Sequence, residues 1–179
     1  MGLADMIRVW RGNLTPEEIA ERDDRARRRR ARLAQDESEQ AARKADVDLY
    51  QQRLDRAAGV ASATVVCHRD TWNFISRWAS QRTSWQEPAS RKTQLSDDML
   101  QVNLSGPQIV MILIVMRDAS GRGSQLGGVD AAFLGDRVIA DRIYRAVGAV
   151  VDTVDPSAPD GTPLSPIVID DRASPLPQD

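Results

Sequence analysis

A chain of 179 residues has room for one ordinary domain plus an extension, but not for two full domains. Aromatic residues make up 4% and charged residues 28%, so the core has to rest on Leu, Ile, Val and Ala together with four tryptophans. The net charge of −2 argues against a protein that coats nucleic acid over its whole surface, and one cysteine, Cys67, excludes an internal disulfide framework and a cysteine-based zinc site.

The balanced total hides asymmetry. Residues 22–32 hold seven arginines against two aspartates, whereas 155–179 holds five aspartates against one arginine. Arginine outnumbers lysine 22 to 2; the codons of a GC-rich genome would produce this ratio, and selection of guanidinium for phosphate or carboxylate would then apply locally at most. The N-terminus lacks the apolar core of a signal peptide. The longest apolar run, Ile109 to Met116, is eight residues and too short to span a bilayer. The expected setting is the cytoplasm, or a particle assembled there, with no membrane partner.

Residues 1–14 form a first segment in which Met6, Val9 and Trp10 share a helical face. It is expected either to dock on the core as a flap or to anchor a partner through Trp10. Thr15-Pro16-Glu17-Glu18 is a helix start, with Thr15 as cap, Pro16 in the first turn and Glu18 three residues on. No proline or glycine follows until Gly59, so a single helix over 15–58 is predicted, roughly 66 Å long at about 1.5 Å per residue. Acids stand four residues ahead of bases at Glu18–Arg22, Glu21–Arg25, Asp23–Arg27 and Asp24–Arg28, each pair adding a few tenths of a kcal/mol. The front of this helix has only Ile19, Ala26 and Leu33 as an apolar row. From Val47, a fuller stripe of Tyr50, Leu54, Ala57 and Ala61 belongs to the core. The front half is therefore expected to project into solvent or onto a partner.

Residues 59–154 are expected to form a helical core domain. Ser62 to Arg82 is predicted as a helix starting at Ser62 or Asp70, with Cys67, Phe74 and Trp78 on one side and Trp85 capping the cluster. Glu87 to Ser96 is polar and reads as loop. Met99 to Leu104 alternates apolar and polar residues, the period of a strand. Ser105-Gly106-Pro107-Gln108 is a capping box, which favours a helix over 106–118 despite a β-branched run; a hairpin of 99–104 with 109–116 is the rival. Ala119 to Gly128 is a linker, and its Gly-x-Gly lacks the context of a phosphate loop. Val129 to Val154 is the strongest core helix, with Asp136 falling inside its apolar arc. Either the helix breaks at Gly135 and Asp136 caps a new one, or Asp136 pairs with an arginine from another element. Residues 155–179 carry six of the nine prolines and read as an extended acidic tail. Within it, Ile167 and Ile169 are placed to join a sheet edge or fill a partner's groove.

No catalytic constellation emerges. The only histidine, His68, adjoins Cys67, and helical neighbours point about 100° apart, a poor geometry for nucleophile and base. No metal, cofactor or nucleotide site is positioned. The arginine cluster is the one functional candidate: Arg22, Arg25, Arg29 and Arg32 fall within an arc of about 80° at 100° per residue. Such an arc serves a solvated helix, a protein-binding arm or a phosphate backbone. A leucine zipper along Leu33, Gln40, Val47 and Leu54 is excluded because Glu37, Lys44 and Gln51 leave the seam half missing.

The fold expected is mainly α, a helical bundle with a long N-terminal helix and an extended tail; the alternative is α+β with a two- or three-stranded sheet using 99–104 and 166–170. The function expected is non-catalytic: an assembly or adaptor protein, in a phage or other large complex, binding protein subunits as a homo- or hetero-oligomer through Trp10, Arg22, Arg25, Arg29, Arg32, Leu33, Ile167 and Ile169. A nucleic-acid accessory protein working through Arg22 to Arg32 is the second reading, and an enzyme with an unrecognised carboxylate site the third.

Overall fold

A computed structural model of the chain describes residues 15–96, 98–122, 134–155, 157–158 and 164–169. The chain divides into two compact units, Met1–Leu49 and Tyr50–Asp179. The division falls within the first helix, α1 (Pro16–Ala58).

In the first unit, every described side chain from 15 to 49 is exposed except Asp46, which is half-buried. The core stripe starts later than its residue types suggest. Val47 and Leu49 remain 56% and 39% exposed, whereas Tyr50 and Leu54 pack on the core and Ala57 is fully buried.

The second unit is a small mixed sheet covered by helices. Its elements are β1 (Ala63–His68), α2 (Arg69–Ala79), a 3-10 turn (Ala89–Arg91), β2 (Lys92–Gln94), β3 (Met99–Leu104), α3 (Gly106–Ala119), α4 (Leu134–Val151) and β4 (Ile167–Ile169). The strand order is β2-β3-β1-β4. β1 runs antiparallel to β3, with Val65 opposite Val102, and parallel to β4, with Val65 opposite Ile167. Ala63, Val65 and Cys67 alternate inward along β1, as do Val102 and Leu104 on β3 and Ile167 and Ile169 on β4. α3 packs against both α2 and α4. Its Ile109, Ile112, Leu113, Val115 and Met116 are all buried, each large side chain contributing roughly 1.5–3 kcal/mol by leaving water.

The fold is thus mainly α with a four-stranded mixed sheet, a wider sheet than the two or three strands of the α+β expectation. The capping box is present: Gln108 accepts from the Ser105 backbone N–H at 2.9 Å, and α3 begins at Gly106. Four expectations need correction. Of the two starts expected for the helix within Ser62–Arg82, the one at Asp70 is close, since α2 runs Arg69–Ala79; the residues ahead of it, Ala63–His68, are a strand that alternates buried and half-buried. Glu87–Ser96 is not all loop, since Lys92–Gln94 pairs with β3 as a polar edge strand. Asp136 does not cap a new helix: Gly135 and Asp136 both lie in the first turn of α4, which begins at Leu134, and Asp136 accepts from Arg77 Nη2 at 3.2 Å, the cross-element ion pair. The stretch read as an arm contains β4, held in the chain's own sheet. Residues 1–14, 123–133 and 170–179, with Trp10, Val129 and Phe133, lie outside the described residues. No helix among the described residues is long and apolar enough to cross a membrane.

Candidate functional site

The sequence-predicted surface on α1 is laid out by local forces. Thr15 donates from its backbone N–H and hydroxyl to Glu18 Oε2 at 2.7 and 2.9 Å, and the Glu18 N–H donates back to Thr15 Oγ1 at 3.3 Å. Two of the anticipated pairs, Arg25 to Glu21 and Arg28 to Asp24, close at 2.7 and 3.2 Å, and Arg43 lies 3.7 Å from Glu39. All six side chains are more than half exposed, so each pair adds only a few tenths of a kcal/mol. Arg22, Arg25, Arg29, Arg32 and Leu33 are all exposed. What these arginines offer is permanent positive charge and forked hydrogen-bond donors.

In the second unit, guanidinium groups tie the end of α1 to α3 and α4. Arg53 forks onto Asp152, with Nε 3.0 Å from Oδ1 and Nη2 2.6 Å from Oδ2. Arg56 Nη1 donates to the Asp152 carbonyl at 3.1 Å, at the C-terminal end of α4, where a cation is favoured. The hydrogen bonds to Asp152 raise the Arg53 pKa against the opposing effect of burial. Arg117, 5% exposed, lies 4.2 Å from the Tyr50 ring centroid, and its Nη1 donates to Tyr144 Oη at 3.4 Å. Burial foremost, and then the charge of Asp118, pushes the Tyr50 hydroxyl pKa up. Arg53 and Arg56 share Asp152, Arg117 lies between two tyrosines, and the cluster reads as a structural seam.

A second polar centre gathers around Glu87, in the stretch whose polar composition predicts a loop. Its carboxylate accepts from Trp72 Nε1 at 3.2 Å, Ser76 Oγ at 3.3 Å and Trp85 Nε1 at 3.0 Å, and is also held by Lys92 Nζ. Burial works to raise the Glu87 pKa, but the bonds from Lys92, Trp85 and Trp72 outweigh it and hold the carboxyl below its usual value. A recess of about 440 Å³ lies beside it, lined by Trp85, Pro88, Arg91, Pro107 and Met111 among others. The signal that would have found this centre is two indoles and a lysine near one acid, but their convergence needs the fold.

The Cys67–His68 pair is set apart by the strand, on which neighbours face opposite sides. Cys67 is fully buried, and His68 caps α2, its Nδ1 accepting from the Asp70 N–H at 3.1 Å. Ile167 and Ile169 lie in the chain's own core at 1% and 2% exposure, and Val168 faces outward at 57%. Trp10 lies outside the described residues. Among the described residues no three His, Cys, Asp or Glu side chains gather as metal ligands would. No protein-family model, curated protein or solved structure matches this chain.

Proposed function

We propose that this is a non-catalytic assembly or adaptor protein that engages other subunits through its long charged helix. The observation that carries the reading is the run Pro16 to Leu49: 34 residues of unbroken helix in which no described side chain is buried. Most helical stability in proteins comes from packing an apolar face. A long element with a cap, charge pairs and an exposed row of Ile19, Leu33 and Val47, but nothing buried against it, is suited to receive a partner. Light scattering and cross-linking of the purified chain test this: a stable oligomer or a defined complex is expected, and a strict monomer that forms no complex rejects it.

A second reading, contact with nucleic acid, is favoured by one observation. Arg29 and Arg30 have no acid three or four residues away on their own helix, so their charge is not locally compensated and is free to meet phosphate. Binding would then fall as salt rises, and also on changing Arg25, Arg29 and Arg32 together to Glu. Binding that is absent or indifferent to salt rejects this second reading.

A further inference from the structure

We propose that α1 pairs with a second copy of itself, antiparallel, along the row Ile19, Ala26, Leu33, Gln40 and Val47, with Leu33 on the two-fold axis. This rests on the assembly reading and names the partner. The row recurs every seven residues, the spacing that keeps one side of a helix against a neighbour. Its large members are open: Ile19 is 46%, Leu33 51% and Val47 56% exposed. Centring on Leu33 sets Leu33 on its own copy, Ala26 against the second copy's Gln40, and Ile19 against the second copy's Val47.

Charge selects the direction. Residues 22–32 carry seven arginines against two aspartates, and residues 36–48 carry five acids against two bases. An antiparallel pair lays the basic stretch on the acidic one, and a parallel pair lays like on like. The positions flanking the row sharpen this. A residue four after each row member lies on one side, and a residue three after lies on the other. In an antiparallel pair each flank meets its own kind. Arg30 then faces the second copy's Glu37, Asp23 its Lys44, and Arg29 its Asp36; only Arg22 opposite Arg43 is like-charged. In a parallel pair the two flanks meet each other. Arg29 then faces Arg30, Asp36 faces Glu37 and Arg43 faces Lys44, leaving Arg22 with Asp23 as the single attraction.

The pairing also supplies what the isolated helix lacks. Arg29, Arg30 and Glu37 have no opposite charge three or four residues away on their own helix, and the antiparallel pair gives each one a partner. The half-polar seam that excludes a parallel zipper is what a single-row antiparallel contact leaves at its flanks. Because the contact is isologous, it closes as a dimer and does not grow into a filament.

Sedimentation equilibrium of the full chain tests the pairing. The wild type is expected to dimerise. Glu37→Arg turns two attractions into two repulsions and is expected to raise the dissociation constant about tenfold. The swap Arg30→Glu with Glu37→Arg is expected to restore it. These positions are exposed, and circular dichroism checks that helix content is unchanged. Orientation is read by cysteine cross-linking, with the buried Cys67 silent. Mixed Ile19→Cys and Val47→Cys chains are expected to form a disulfide between positions 19 and 47, and Ile19→Cys alone none. A wild-type monomer, an unaffected Glu37→Arg, or ready self-linking of Ile19→Cys overturns the proposal. A chain that is monomeric alone yet binds a different subunit through this helix overturns self-pairing and leaves the assembly reading standing; a monomer that binds nothing ends both.

Discussion

Two glycines show how the nature of a neighbour decides the cost of one methyl group. A Cβ on Gly106 would stand 2.6 Å from the carbonyl oxygens of both Ala57 and Val60 and 2.9 Å from that of Ala58. Those are backbone atoms at the end of α1, where the Gly106 N–H donates to the Val60 carbonyl at 3.0 Å, so they cannot step aside. A Cβ on Gly148 would stand 2.7 Å from Arg53 Cζ, the end of a side chain that can shift at the expense of its fork on Asp152. Replacing glycine by alanine within a helix returns about 1 kcal/mol, which offsets part of the clash at position 148. Gly106→Ala is therefore expected to cost about 1–3 kcal/mol or more in chemical denaturation, and Gly148→Ala distinctly less. At Glu87 the folded pKa lies below the unfolded value. Its contribution to stability is complete above the unfolded glutamate range, and fades as pH falls through that range toward the folded pKa. Glu87→Gln should flatten the acid side of the stability–pH curve, and unchanged slopes would show that the carboxylate's bonds do not bear on folding.

For single elements, legibility followed how local the deciding force is. The cap at Thr15, the pairs at Glu21–Arg25 and Asp24–Arg28, and the box at Ser105–Gln108 all lie within four residues in sequence, and each is present as anticipated. A helix start at Asp70 is within one residue of the observed one, but the strand Ala63–His68 ahead of it is not legible, because no glycine or proline marks the junction and a histidine ring does the capping. Lys92–Gln94 looked like loop because an edge strand at the surface carries no apolar signal. Of the candidate site, the arginine row on α1 was readable from helical geometry, whereas the Glu87 centre and the Arg53–Asp152 fork join residues far apart in sequence and were not. The two parts of α1 should also differ in amide exchange. Amides from Tyr50 onward are expected to be protected at any protein concentration. Those of 16–49 are expected to exchange fast in dilute solution and slow as concentration rises and copies pair. Protection of 16–49 that ignores concentration would argue against pairing of that segment.

Over the whole molecule, two kinds of cohesion coexist. The second unit is held by an apolar core running from Ala57 to Ile169, and α1 up to Leu49 is held by its own turns and charges. A sheet that pairs Val65 with Ile167 also orders events in time. When β1 leaves the ribosome, β3 follows within about forty residues, but the strand that covers its other edge comes some hundred residues later in the register just given. Until β4 is made, the edge of β1 that it covers has no strand of this chain beside it, and an uncovered strand edge is a template for pairing with another chain. The three residues of β4 lie downstream of α2, α3 and α4, so the strand that completes this edge of the sheet is synthesised only after those helices.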